Sequence, residues 1–93
     1  MLVRSVGYRE SAVVEFQVLP KAEQRRLKDA LQRLADSFPK IPPDLDVERI
    51  RGTETLWRLA FGNYRCVFRL EKDRLVVFTV GARTGFYQRF GES

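Results

Sequence analysis

Leu56-Trp57-Arg58-Leu59-Ala60-Phe61-Gly62-Asn63-Tyr64-Arg65-Cys66-Val67-Phe68-Arg69-Leu70 is the stretch on which the architecture turns. Apolar and polar side chains alternate with period two on both sides of Gly62-Asn63, a pair suited to a two-residue hairpin loop in which glycine supplies the positive φ. With that loop, Trp57 stands opposite Phe68, Leu59 opposite Cys66 and Phe61 opposite Tyr64 on one face, while Arg58, Ala60, Arg65 and Val67 share the other. A second turn at Lys72-Asp73 brings Leu75, Val77 and Thr79 to the first face and Val76, Phe78 and Val80 to the second.

The first face is almost wholly aromatic and aliphatic, so it must be covered, and the chain ahead of it supplies the cover. Leu2 to Tyr8 predicts one short strand. Ser11 is read as a helix cap with Glu15 in the first turns, and Ala12, Phe16 and Leu19 recur at helical spacing before Pro20. Between Lys21 and Phe38, Leu27, Leu31, Leu34 and Phe38 form an apolar stripe, with Arg25, Arg26, Lys28, Asp29, Arg33 and Asp36 on the other side. Phe38-Pro39-Lys40-Ile41-Pro42-Pro43-Asp44 forbids helix or central strand and reads as a connector within one domain, 1–93. The expected fold class is α+β: a short first strand, a two-helix hairpin on one face of an antiparallel sheet with a three-stranded C-terminal meander, and a short C-terminal helix or tail.

Composition narrows the chemistry. The chain has 93 residues, no histidine and one cysteine, which excludes an intrachain disulfide and every imidazole-based triad or proton shuttle. No apolar run approaches the roughly 20 residues a membrane helix needs, and the amino terminus shows no apolar signal segment, so a cytoplasmic address without membrane contact is expected. Net charge is +5, and thirteen of the seventeen basic residues are arginine. Residues 47–93 carry nine basic and five acidic side chains against eight and seven in residues 1–46, so the second half holds the field. Arginine's planar, permanently charged fork favours an anionic partner, nucleic acid first.

Trp57 and Cys66 read as core residues. The second sheet face mixes Arg58, Arg65 and Arg69 with Val67, Phe78 and Val80. Such a face is either a solvated surface with arginine stems lying over valines or the seat of a partner. Val67, Phe78 and Val80 suit an acidic amphipathic segment that orders on docking. Beyond the last strand, Arg83 and Tyr87 place a cation and a phenol near the rim. No carboxylate cluster is expected on the active face, so neither a metal nor an organic cofactor is implied.

Ile50-Arg51-Gly52, Leu56-Trp57-Arg58-Leu59, Gly62-Asn63-Tyr64-Arg65, Asp73-Arg74-Leu75-Val76-Val77 and Gly81-Ala82-Arg83 up to Tyr87 together resemble the RelE branch of the RelE/ParE toxin superfamily. The order of elements agrees over essentially the whole chain, and Ser11-Ala12 with Leu19-Pro20 is similar to the family's helical hairpin. The resemblance implies the toxin of a type II toxin–antitoxin pair, a metal-independent endoribonuclease that cuts mRNA on the ribosome, inhibits translation and is silenced by its antitoxin in a hetero-oligomer. By the same resemblance Arg58, Arg65, Arg83 and Tyr87 occupy the catalytic positions, and Arg51, Arg69, Phe86 and Arg89 are expected to bind RNA. The sequence departs from the family pattern at Ala60, where a second lysine is usual, and at Ala82, a position basic in many members. Two other outcomes stay open: a ParE-like toxin acting on DNA gyrase, and a degenerate toxin that only binds its antitoxin.

The implied reaction is attack of a ribose 2′-hydroxyl on the adjacent phosphodiester, with negative charge growing on the phosphoryl and leaving oxygens. Arg58 and Arg65 suit the first, and Arg83 the second. Tyr87 is either the base or a stacking platform that orients a nucleobase; with roughly 0.1% of an ordinary phenol ionised at pH 7, stacking is preferred.

Overall fold

The computed structural model describes residues 5–71 and 73–82. The chain forms β1 (Ser5–Tyr8), α1 (Glu10–Gln17), α2 (Lys21–Ser37), β2 (Asp46–Arg49), β3 (Leu56–Phe61), β4 (Tyr64–Glu71) and β5 (Arg74–Ala82). The strands make one five-stranded sheet in the order β1-β5-β4-β3-β2. The α+β class, the helical hairpin and the meander are all present. β1 joins β5 in parallel, which makes the sheet mixed, and β2 adds an antiparallel fourth neighbour beside β3 that the sequence reading did not contain. Among the described residues no helix is long and apolar enough to cross a membrane.

The hairpin at Gly62-Asn63 forms in the register read from the sequence, with Trp57 opposite Phe68, Leu59 opposite Cys66 and Phe61 opposite Tyr64. Gly62 has φ +58° and Asn63 does not share that sign, the pattern of a two-residue loop with glycine first. Ala12, Leu19, Leu27, Leu31, Leu34 and Ala35 pack with Leu59, Phe61, Cys66, Phe68, Leu75 and Val77 into one core, so both helices cover a single sheet face. Cys66 is fully buried, and Trp57 lies half-buried at the margin, edge-on to Phe38 at 5.1 Å.

Three local expectations are corrected. Ser11 does not cap α1: the helix begins at Glu10 behind Arg9 with no side-chain cap, and the Ser11 hydroxyl instead lies 3.5 Å from the Phe78 carbonyl. The turn between the helices is held by Gln24, whose Nε2 donates to the carbonyls of Leu19 (2.9 Å) and Gln17 (3.2 Å). Second, the β4–β5 ladder shifts register between Val67 and Phe68: Phe68 faces Val77, Val67 faces Thr79, and Phe78 is the extra residue of a β-bulge. Val80 therefore points into the helix-side core and Thr79 to the opposite face, the reverse of the simple alternation. The exchange keeps a hydroxyl out of an apolar core, where it would lack a partner. Third, Val67 is on the expected face but fully buried, packed with Ile50 and flanked by Leu56 and Phe78. Val67 and Val80 are thus not available as docking contacts, and of the three residues assigned to an antitoxin only Phe78 is partly exposed.

Candidate functional site

Two rows of residues cross the open face of the sheet. One runs Glu48, Arg58, Val67 and Thr79 over β2, β3, β4 and β5; the next runs Asp46, Ala60, Arg65 and Gly81. Arg58 and Arg65 therefore stand on the same side, diagonal to each other across the β3–β4 pair, as the hairpin reading requires. Ala60 and Gly81 flank Arg65 and give a low floor on either side of it, bordered on β2 by Asp46 and Glu48.

The two arginines are held differently. Arg58 is 12% exposed, and its Nη2 donates to Glu48 Oε1 at 2.9 Å and lies 3.6 Å from Asp46 Oδ1. β2 thus delivers two carboxylates to this face, neither of them assigned in the sequence analysis. Arg65 is 91% buried; its Nη1 donates to the Tyr64 carbonyl at 2.8 Å, and its buried Nε has no acceptor among the described residues. A buried charged donor without a partner is costly to leave unsatisfied.

Arg69 lies four residues further along β4, roughly 13 Å from Arg65 at the usual strand rise. Its Nη2 donates to Glu71 Oε2 at 2.7 Å, and its guanidinium lies 5.2 Å from the Phe78 ring centre, with Arg9 over the same ring at 4.8 Å. The Arg69 hydrogen bond holds the Glu71 carboxyl below the usual carboxylate range against the opposing effect of desolvation, and the charges of Arg69, Arg74 and Arg9 add to it. This end of the face is a second cationic cluster, separate from Arg58 and Arg65. Arg51 is exposed in the loop joining β2 to β3, beside Gly52 at φ +83°. Arg83, Phe86, Tyr87 and Arg89 lie outside the described residues.

Asp46 and Glu48 are the site residues that sequence reasoning missed. Their only local signal is the alternation Asp46-Val47-Glu48, in which Val47 packs against the core while the carboxylates face the other way. A four-residue strand with one apolar side chain is too short for periodicity to declare it.

Two helices packed on one face of a mixed five-stranded sheet define a fold that solved structures share. No family model and no curated protein sequence matches the chain. The RelB–RelE antitoxin–toxin complex from Methanococcus jannaschii does match, with TM-score 0.75 and 21% identity over 90% of this chain and 98% of that one. The RelE–RelB complex from Pyrococcus horikoshii OT3 gives 0.73 and 24% over 88% and 97%. A mutant of the E. coli toxin RelE in the free state gives 0.76 and 21% over 98% and 94%. The chain has the RelE toxin fold.

Proposed function

We propose that this protein is the toxin of a type II toxin–antitoxin pair and acts as an endoribonuclease on mRNA, with the ribosome presenting the message in the cytoplasm and the antitoxin silencing it in a hetero-oligomer. The observation that carries the reading is Arg65, a buried guanidinium with an unpartnered Nε, set beside Arg58 over the Ala60–Gly81 floor. The likeness in fold to RelE chains solved with RelB supports both the activity and the partner.

On this reading a backbone phosphate rests on the floor, gripped by Arg65 and Arg58. Fixed donors aimed at charge that grows only in the transition state lower the barrier, and loss of one costs on the order of 10²–10³ in rate. Arg83 stabilises the leaving oxygen and Tyr87 orients a base, in the roles the resemblance gives them. With so little machinery for proton transfer, positioning of the message by the ribosome contributes much of the acceleration. The antitoxin covers the same face; Phe78 and the Arg9–Arg69 cluster offer it an aromatic edge and cations, complementary to an acidic segment.

The test is induction without a partner, with message ends mapped by primer extension. Cuts within translated codons are expected, and they should vanish in Arg65→Ala while circular dichroism shows the fold retained. Growth arrest with intact messages, or cuts that persist in Arg65→Ala, would overturn the proposal.

A further inference from the structure

The ribonuclease reading leaves one need unmet: something must take the proton from the attacking 2′-hydroxyl. The chain has no histidine, and an ordinary tyrosine is about 0.1% ionised at neutral pH. β2 supplies a better-placed group.

We propose that Glu48 is the general base of this site, an assignment that rests on the ribonuclease reading above. Glu48 stands directly opposite Arg58 on the open face, and its Oε1 accepts from Arg58 Nη2 at 2.9 Å. Its side chain is 71% exposed, and Oε2 makes no hydrogen bond within the described structure, so one oxygen is oriented by the guanidinium while the other is open to a ligand. This is the arrangement general-base catalysis requires: a basic atom in hydrogen-bonding reach of the reacting group, held in direction by a third residue. In a near-attack geometry the 2′-oxygen lies roughly 3–3.5 Å from phosphorus. A phosphate seated between Arg58 and Arg65 has Glu48 next to it across Arg58, and the assignment places the 2′-hydroxyl on that β2 side.

The groups facing Glu48 are Arg58 on β3, Asp46 on its own strand, and Arg65 one row away on β4. Asp46 is the weaker candidate, with a shorter side chain and a distance of 3.6 Å from the same guanidinium; Asp29, exposed on α2 and away from this face, serves as the control carboxylate. In the step, the Glu48 carboxylate takes the 2′-O–H proton as the 2′-oxygen forms its bond to phosphorus. The bond from phosphorus to the 5′-oxygen breaks, and that oxygen takes a proton from solvent. A 2′,3′-cyclic phosphate and a 5′-hydroxyl result, and Glu48 returns its proton to water.

The experiment is single-turnover cleavage of a message on programmed ribosomes by wild-type protein, Glu48→Gln and Asp29→Asn, across pH, with complex formation measured in parallel. Glu48→Gln keeps the shape and an acceptor for Arg58, so binding within threefold of wild type is expected while cleavage falls by about 10²–10⁴. The decline of the wild-type rate on the acid side should be absent from the residual activity, and Asp29→Asn should stay within threefold of wild type. Glu48→Gln that cleaves as fast as wild type, or faster with tighter binding, would mean that the carboxylate only restrains Arg58. That result overturns the assignment and leaves the ribonuclease reading intact, whereas no cleavage by the wild-type protein overturns both.

Discussion

Glu15 is the residue on which the bulged strand depends. β1 ends at Tyr8, opposite Val77, so β5 continues past Val77 with no strand on that side among the described residues. Glu15 of α1 fills the gap: its Oε1 accepts from the Val80 backbone N–H and from Thr79 Oγ1, both at 2.8 Å. Val80 is 2% exposed and Thr79 8%, so neither donor has water to fall back on. Glu15→Ala leaves two buried donors unpaired at about 1–3 kcal/mol each. Allowing the hydroxyl to turn toward another acceptor, the total is about 2–4 kcal/mol, a large part of the stability expected of a chain this size. For 93 residues the unfolding entropy is about 0.2 kcal/mol/K near the midpoint, so Tm should fall by about 10–20 °C. Glu15→Gln keeps the accepting oxygen and should lose no more than about 1 kcal/mol. Thermal and urea unfolding, followed by circular dichroism and Trp57 fluorescence, measure both. A loss of Tm below about 3 °C in Glu15→Ala, or equal losses in the two variants, would refute the account of Glu15 as the acceptor that terminates β5.

The other outcomes concern the hairpin and the pH range. Gly62→Ala forces a side chain to φ +58°; because the nearest obstacle is the flexible end of Arg26 at 3.1 Å, backbone strain of about 1–2 kcal/mol dominates and Tm should drop by about 5–10 °C. No change in Tm would mean that the turn is not set by glycine. Burial pushes the Tyr8 phenol up to about 12, with a smaller contribution from Cys66. The folded state therefore keeps a proton that the unfolded chain releases near pH 10, and this contribution to stability is lost as pH rises from about 10 to 12. Urea midpoints should fall less steeply over that window in Tyr8→Phe than in wild type; parallel slopes would count against it.

Much of the fold was legible because its information is local. The Gly62-Asn63 loop and the alternation on either side specify the β3–β4 register outright, since one turn type and a period of two admit a single pairing that collects Trp57, Leu59, Cys66 and Phe68 on one face. The stripe Leu27, Leu31, Leu34 likewise specifies which side of α2 is buried. From the same pattern came the placement of Arg58 and Arg65 on one surface. What the tertiary structure decided is non-local. Whether β5 stays in simple alternation depends on whether a carboxylate 65 residues earlier can satisfy Val80; with Glu15 present, a bulge moves Val80 inward and Thr79 outward. Whether Asp46-Val47-Glu48-Arg49 is a strand depends on the free edge of β3, because four residues with one apolar side chain cannot declare themselves. That edge brings Glu48 onto Arg58, and so turns a bare cationic surface into an ion pair: the sequence supplies the side chains and their period, but which backbone groups lack partners, and what comes to meet them, exists only once the sheet has closed.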